Sequence, residues 1–162
     1  MTDRTIAVVY CDDIRNEIGN KQSWMGIYSG DLVVQQMPSL LPKLCLAVTI
    51  SSPADRPLQR LRLYAKRGDD LVFEINADDQ ILQSFRLAES GDADTGPNDG
   101  IPRRRVLILA TAISPFVIDR DSTLRVFAET EVEGERLTGR GLRIRLGTPA
   151  ELGTQVQPPV PT

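Results

Sequence analysis

The chain has 162 residues, of which 41% are apolar and 25% charged, and its net charge is −3. That mixture belongs to one globular domain large enough to bury its own core, and the near balance of charge excludes bulk attraction to nucleic acid or an anionic membrane. Histidine is absent, which removes Ser-His-Asp and Cys-His catalysis, His-ligated metals and the usual switch near neutral pH.

Other compositional features narrow the class further. Aromatic residues are only 5% of the chain, so the core rests on Leu, Val, Ile and Ala. Sixteen of the 19 basic residues are arginine, whose rigid fork suits carboxylates and interfaces, although a GC-rich genome gives the same bias. Cys11 and Cys45 each lie in an apolar run and read as reduced core residues, or as a disulfide if their strands are adjacent. No apolar run approaches the roughly 20 residues of a spanning helix, and the N-terminus lacks the pattern of a signal peptide. A cytoplasmic protein without membrane insertion is expected.

In chain order, Thr5 to Cys11 is a compact β-branched run and predicts a buried strand ending at Asp12-Asp13. Ile14 to Lys21 is polar and reads as a loop or a single helical turn. Gln22 to Val34 predicts a strand with a break near Ser29-Gly30-Asp31. Met37 to Pro42 is punctuated by Pro38 and Pro42, which cannot serve a central ladder. Lys43 to Ser52 alternates with both faces largely apolar, the pattern of a covered central strand. Pro53 to Pro57 is a turn.

Leu58 to Arg67 alternates Leu61, Leu63 and Ala65 against Arg60, Arg62, Tyr64 and Lys66, a half-buried strand. Gly68-Asp69-Asp70 turns the chain into Leu71 to Ile75, a hairpin candidate. Asn76 to Leu87 is ambiguous between strand and short helix. Glu89 to Pro102, with four acids and several Gly and Pro breaks, reads as a long loop. Arg103 to Ser114 predicts the strongest core strand, apolar on both faces. Phe116 to Ile118 leads to a turn at Asp119-Arg120-Asp121. Ser122 to Val132 alternates, Glu133-Gly134-Glu135 turns, and Arg136 to Gly147 continues as a last strand. The proline-rich stretch 148–162 reads as a flexible tail following a single domain over 1–147.

These patterns give about eight strands and no long amphipathic helix. Period-2 alternation with one recurrent apolar face calls for an all-β, antiparallel two-sheet sandwich, immunoglobulin-like or C2-like, with a partly open barrel as the alternative.

Several groups stand out as candidate sites. Asp12 and Asp13, Asp69 and Asp70, Asp78 and Asp79, and Asp119 and Asp121 are acidic turns. If Asp12, Asp13, Asp119 and Asp121 converge at one sandwich end they would suit calcium, whereas Asp in turns also caps backbone amides. Arg103, Arg104 and Arg105 form a basic run that suits a phosphate or acidic partner, or protects the strand behind it with charge. Arg136, Arg140, Arg143 and Arg145 face Glu129, Glu131, Glu133 and Glu135 across a turn, so a self-compensated face is expected. Trp24, near Tyr28, reads as a core anchor or as a binding residue.

The run from Cys11 to Val34, followed by Met37 to Leu44, resembles an uncharacterised bacterial domain-of-unknown-function family. Its members open with a strand, a Cys-Asp-Asp turn, a Gly-Lys segment and a Gly-Ile/Val-Tyr strand. Asp12, Asp13, Lys21, Gly26, Tyr28, Pro38 and Pro42 match that pattern, and Trp24-Met25 departs from it where smaller aliphatics are expected. The resemblance implies no catalytic or ligand role for any of them. With no catalytic set in the sequence, the expectation is a non-enzymatic interaction, accessory or assembly protein that meets a protein partner or itself, with no cofactor and no nucleic acid. The alternatives are a calcium- or small-ligand-binding module and a carboxylate-based hydrolase.

Overall fold

The structure, a computed structural model, describes residues 3–19, 21–78, 80–83 and 103–153. The fold is all-β. Its strands are β1 (Thr5–Cys11), β2 (Asp13–Glu17), β3 (Lys21–Met25), β4 (Asp31–Val34), β5 (Ser39–Leu41), β6 (Leu44–Pro53), β7 (Leu61–Arg67), β8 (Asp70–Ala77), β9 (Arg104–Ile113), β10 (Phe116–Ile118), β11 (Ser122–Thr130), β12 (Arg136–Thr138) and β13 (Leu142–Leu146). A smaller sheet has the order β1-β6-β9, and a larger one runs β4-β13-β11-β7-β8 with β12 paired to β11. Two small pairs, β2-β3 and β5-β10, complete the set.

All the sheet pairings are antiparallel except β4 with β13, which is parallel. The alternation in the sequence explains which side of each strand is covered. Val8 and Tyr10 of β1 and Leu44, Leu46, Val48 and Ile50 of β6 meet Leu61, Leu63, Leu124, Val126, Leu142 and Ile144 of the larger sheet in one core. Each such aliphatic side chain contributes about 1.5–3 kcal/mol when fully buried. Leu82, in a helical turn whose Ile81 amide is capped by Asp78 Oδ1 at 3.0 Å, joins the same core.

The expected strands at 5–11, 43–52, 58–67, 71–75 and 122–132 are present with edges moved by a few residues, and Phe116–Ile118, read only as leading to a turn, is the short strand β10. Four expectations are corrected. Residues 14–17 are neither loop nor helical turn but part of β2, which pairs with β3 as a hairpin. The strand expected over 22–34 is two strands in different sheets, parted at Gly26 and Gly30 where φ is +66° and +144°. The last strand is split into β12 and β13 by Gly139, where a Cβ would lie 2.5 Å from Cγ2 of Val8. The run 103–114 is not a strand covered on both sides but β9, an end strand of the smaller sheet with Val106 41% and Ile108 50% exposed.

Residues 148–153 form turns against β13, with Glu151 paired to Arg145 at 2.6 Å. The remainder of the expected tail, and the expected loop before β9 at 89–102, lie outside the described residues. Among the described residues no helix is long and apolar enough to cross a membrane.

Candidate functional site: an uncharged face and a hairpin arm

The outer face of the smaller sheet is the surface least like an ordinary solvent face. Register places its outward residues in four rows of three: Thr5, Ser51 and Val106; Ala7, Thr49 and Ile108; Val9, Ala47 and Ala110; Cys11, Cys45 and Ala112. No row contains a charge. The β9 members Val106, Ile108, Ala110 and Ala112 are all exposed. Charges appear only at the two ends. At one end Asp3 pairs with Arg56 at 2.5 Å, and Arg104 donates to Ser51 Oγ at 2.7 Å. At the other, Lys43 and Arg15 hold Asp13.

The last row places Cys11 and Cys45 directly opposite one another on adjacent antiparallel strands. Both thiols are free and buried, and they donate to the backbone oxygens of Asp13 at 3.5 Å and Asp12 at 3.6 Å. Burial, reinforced by the neighbouring Cys45 and Asp12, pushes the Cys11 thiol up to about 11. Cys11 therefore rests as a protonated thiol, and burial keeps both sulfurs away from solvent.

From this row the chain leaves the sheet as the β2-β3 arm. Asp12 is the pivot. Its amide donates to the carbonyls of Met25 at 3.0 Å and Gly26 at 3.2 Å, and its carboxylate accepts the Tyr28 hydroxyl at 2.5 Å. Tyr28 is tied back to the sheet through its amide, which donates to the Tyr10 carbonyl at 2.9 Å. Burial and the Asp12 carboxylate both hold the Tyr28 hydroxyl above its ordinary pKa. Asp13 is pinned by Lys43 and Arg15, and these two cations, Lys43 first, keep its carboxyl below the usual range.

Trp24 sits on the arm, half-exposed, across from Ile14, and its Nε1 donates to Gln22 at 3.2 Å. It is not part of the core, so the core-anchor reading is corrected. Ile18 at the tip is 96% exposed. An aromatic outside the core has the character of a contact residue. The sequence signal for the arm was the Gly19-Asn20 pair between two runs of equal length.

The other sequence candidates are dispersed. Asp12 and Asp13 serve the arm, while Asp119 pairs with Arg67 at 2.6 Å and Arg120 at 3.3 Å. Among the described residues no three potential ligand side chains gather as a metal would need. Arg103 and Arg105 are exposed at the start of β9, and Arg104 reaches the Asp3 carbonyl.

The expected compensation of the arginine stripe holds at Arg136, the cross-strand partner of Glu129, and is corrected for the other acids. Glu131 and Glu135 turn away to the buried Arg4, at 2.5 and 2.8 Å. Glu129 is held by Arg62 at 3.1 Å and by the Tyr64 hydroxyl at 2.9 Å. The acids that do converge, Glu131 and Glu135, are thus neutralised by a structural arginine beside a shallow cleft that also contains Asp3, Arg56 and Arg136. Comparison of the chain with protein-family models, with curated proteins and with solved structures gives no match.

Proposed function

We propose that this protein is a non-enzymatic assembly module that associates with a second copy of itself through the uncharged face of β1-β6-β9, with the β2-β3 arm extending the contact. The observation that carries this reading is the contrast between the two outer faces. One has four rows without a charge. The other bears Arg62, Lys66, Arg125, Arg143 and Arg145. A face without charge meets its own copy with no like-charge repulsion, whereas the arginine-rich face does not.

Size supports the same reading. Strands about 4.8 Å apart and rising about 3.4 Å per residue give the four rows an area of roughly 350 Å². Within it Cys11, Cys45 and Ala47 are buried, leaving the first two rows with Val9, Ala110 and Ala112 as the open part. Its exposed apolar part is the β9 edge of Val106, Ile108, Ala110 and Ala112, and exposed apolar patches mark interaction sites. A stable pair needs about 800 Å² on each side, and the arm with Trp24 and Ile18 supplies the additional contact. The strand order, with β4 parallel to β13 at the edge of the second sheet, supports an immunoglobulin-like sandwich, a frame that functions by presenting faces and loops.

Light scattering after size exclusion, from about 1 to about 200 µM protein, tests the reading. The wild type is expected to move from the 17.9 kDa of one chain to twice that mass. Ile108→Lys, at an exposed position, is expected to stay monomeric with an unchanged thermal midpoint. A wild type that remains monomeric at the highest concentration overturns self-association.

A further inference from the structure

We propose that the outer face of the larger sheet holds an anion-binding site, built from Lys66, Arg125 and Arg143, that takes a carboxylate-rich polypeptide segment. Lys66 and Arg125 are direct cross-strand partners on β7 and β11. Like charges set opposite one another in a sheet repel and cost stability, and a bound anion removes that cost. Arg143 stands one row further on, opposite Thr123. Beside Arg125, where the neighbouring strand would place a side chain, is Gly141. A Cβ there would lie 2.8 Å from Cγ2 of Thr123 and 3.3 Å from Nε of Arg125, so the side chains of Thr123 and Arg125 occupy the room that the glycine leaves.

The acids of this face are already engaged. Arg62 takes Glu74 at 2.9 Å and Glu129 at 3.1 Å. Asp31 is the register partner of Arg143, but its carboxylate is turned to Nε of Arg145 at 2.8 Å. The side chains of Lys66, Arg125 and Arg143 make no hydrogen bond or ion pair to any described residue. Three adjacent cations thus remain uncompensated by the described residues on a rigid sheet, two of them with forks that match carboxylates.

The aromatic residues of the face decide between polypeptide and nucleic acid. Tyr64 and Phe127 stack on each other with centroids 5.3 Å apart, and their faces are covered by Arg62 at 4.7 Å and Arg136 at 5.3 Å. Single-stranded nucleic acid needs open aromatic faces for its bases, and these are closed.

The test is fluorescence anisotropy of a labelled hexaglutamate peptide with the full chain at low salt, where exposed charges are least screened. Binding is expected, with Arg125→Gln and Arg143→Gln each weakening it about five- to tenfold and the triple Gln variant at 66, 125 and 143 abolishing it. Arg105→Gln, on the other sheet, is expected to bind as the wild type does. Equal binding by the triple variant overturns the site. So does displacement of the peptide by an oligothymidylate of similar length at lower concentration, which transfers the face to nucleic acid. The site stands independently of self-association through the other sheet.

Discussion

A Cβ at Gly26 would lie 2.1 Å from Oδ2 of Asp12, at a backbone φ of +66°. The two residues close the base of the arm, since the same Asp12 accepts from Tyr28 and receives the chain at Met25 and Gly26. Gly26→Ala meets both a left-handed backbone and an occupied volume, and the first alone costs about 1–3 kcal/mol. Thermal unfolding is expected to shift down by that amount or more. An unchanged midpoint would show that the arm base is not built as described.

The one tryptophan of the chain is on the arm and outside the core, so its emission reports the arm separately from the sandwich. The arm contributes no residue to the main core, and a two-stranded hairpin alone is marginal in water. In a denaturant titration Trp24 emission is expected to shift red at lower denaturant than the loss of far-UV circular dichroism. Coincident transitions would place Trp24 within the cooperative unit.

Arg4 is only 7% exposed and joins the first strand to Glu131 and Glu135. Arg4→Met leaves those half-buried acids without the guanidinium. Breaking a buried pair costs about 3–5 kcal/mol, and the partial exposure of Glu131 reduces the expected loss to about 2–4 kcal/mol. Burial raises the Glu131 carboxyl, but Arg4 and backbone amides lower it by more, so its folded pKa is below the unfolded value. That contribution is fully present above about pH 4.5 and is lost as pH falls through the folded pKa. The gap between wild type and variant is therefore expected to narrow from pH 6 to pH 3, as read by urea midpoints. A constant gap would contradict the pairing.

Cys11 and Cys45 are opposed and buried, with the Cys11 thiol near 11. At pH 7 a thiol with that pKa is ionised to about one part in ten thousand. Iodoacetamide is expected to leave the folded protein unmodified and to alkylate both cysteines once it is unfolded, as counted by intact mass. Rapid alkylation of the native state would mean that the Asp12-Asp13 corner opens.

Alternation made the fold class legible. Leu61, Leu63 and Ala65, and Leu124, Val126 and Ala128, were placed inward by period two alone, and both sets are buried. The candidate face was not legible for a related reason. Periodicity reports which sides of a strand are apolar, not whether the chain covers them, so β9 reads as doubly covered although its outer side is exposed. Charge pairing was legible only in part, since Arg136 does lie opposite Glu129. Glu131 and Glu135 lie near the arginine stripe in sequence, yet their partner Arg4 is 127 and 131 positions away, and no local pattern points to it. Asp12 and Asp13 were singled out as turn acids, but their partners come from elsewhere in the fold: Tyr28 through its amide hydrogen bond to Tyr10, and Lys43 through the register that brings β1 beside β6.

Hydrogen–deuterium exchange at about 2 and about 200 µM protein tests the central claim most directly, because it reports which backbone amides become protected as copies associate. Protection that rises with concentration is expected at residues 104–113 and along the arm at 13–25, with 61–67, 122–130 and 142–146 unchanged. Protection confined to those last three strands, or none that depends on concentration, would contradict the assignment of the uncharged face as the surface on which copies meet.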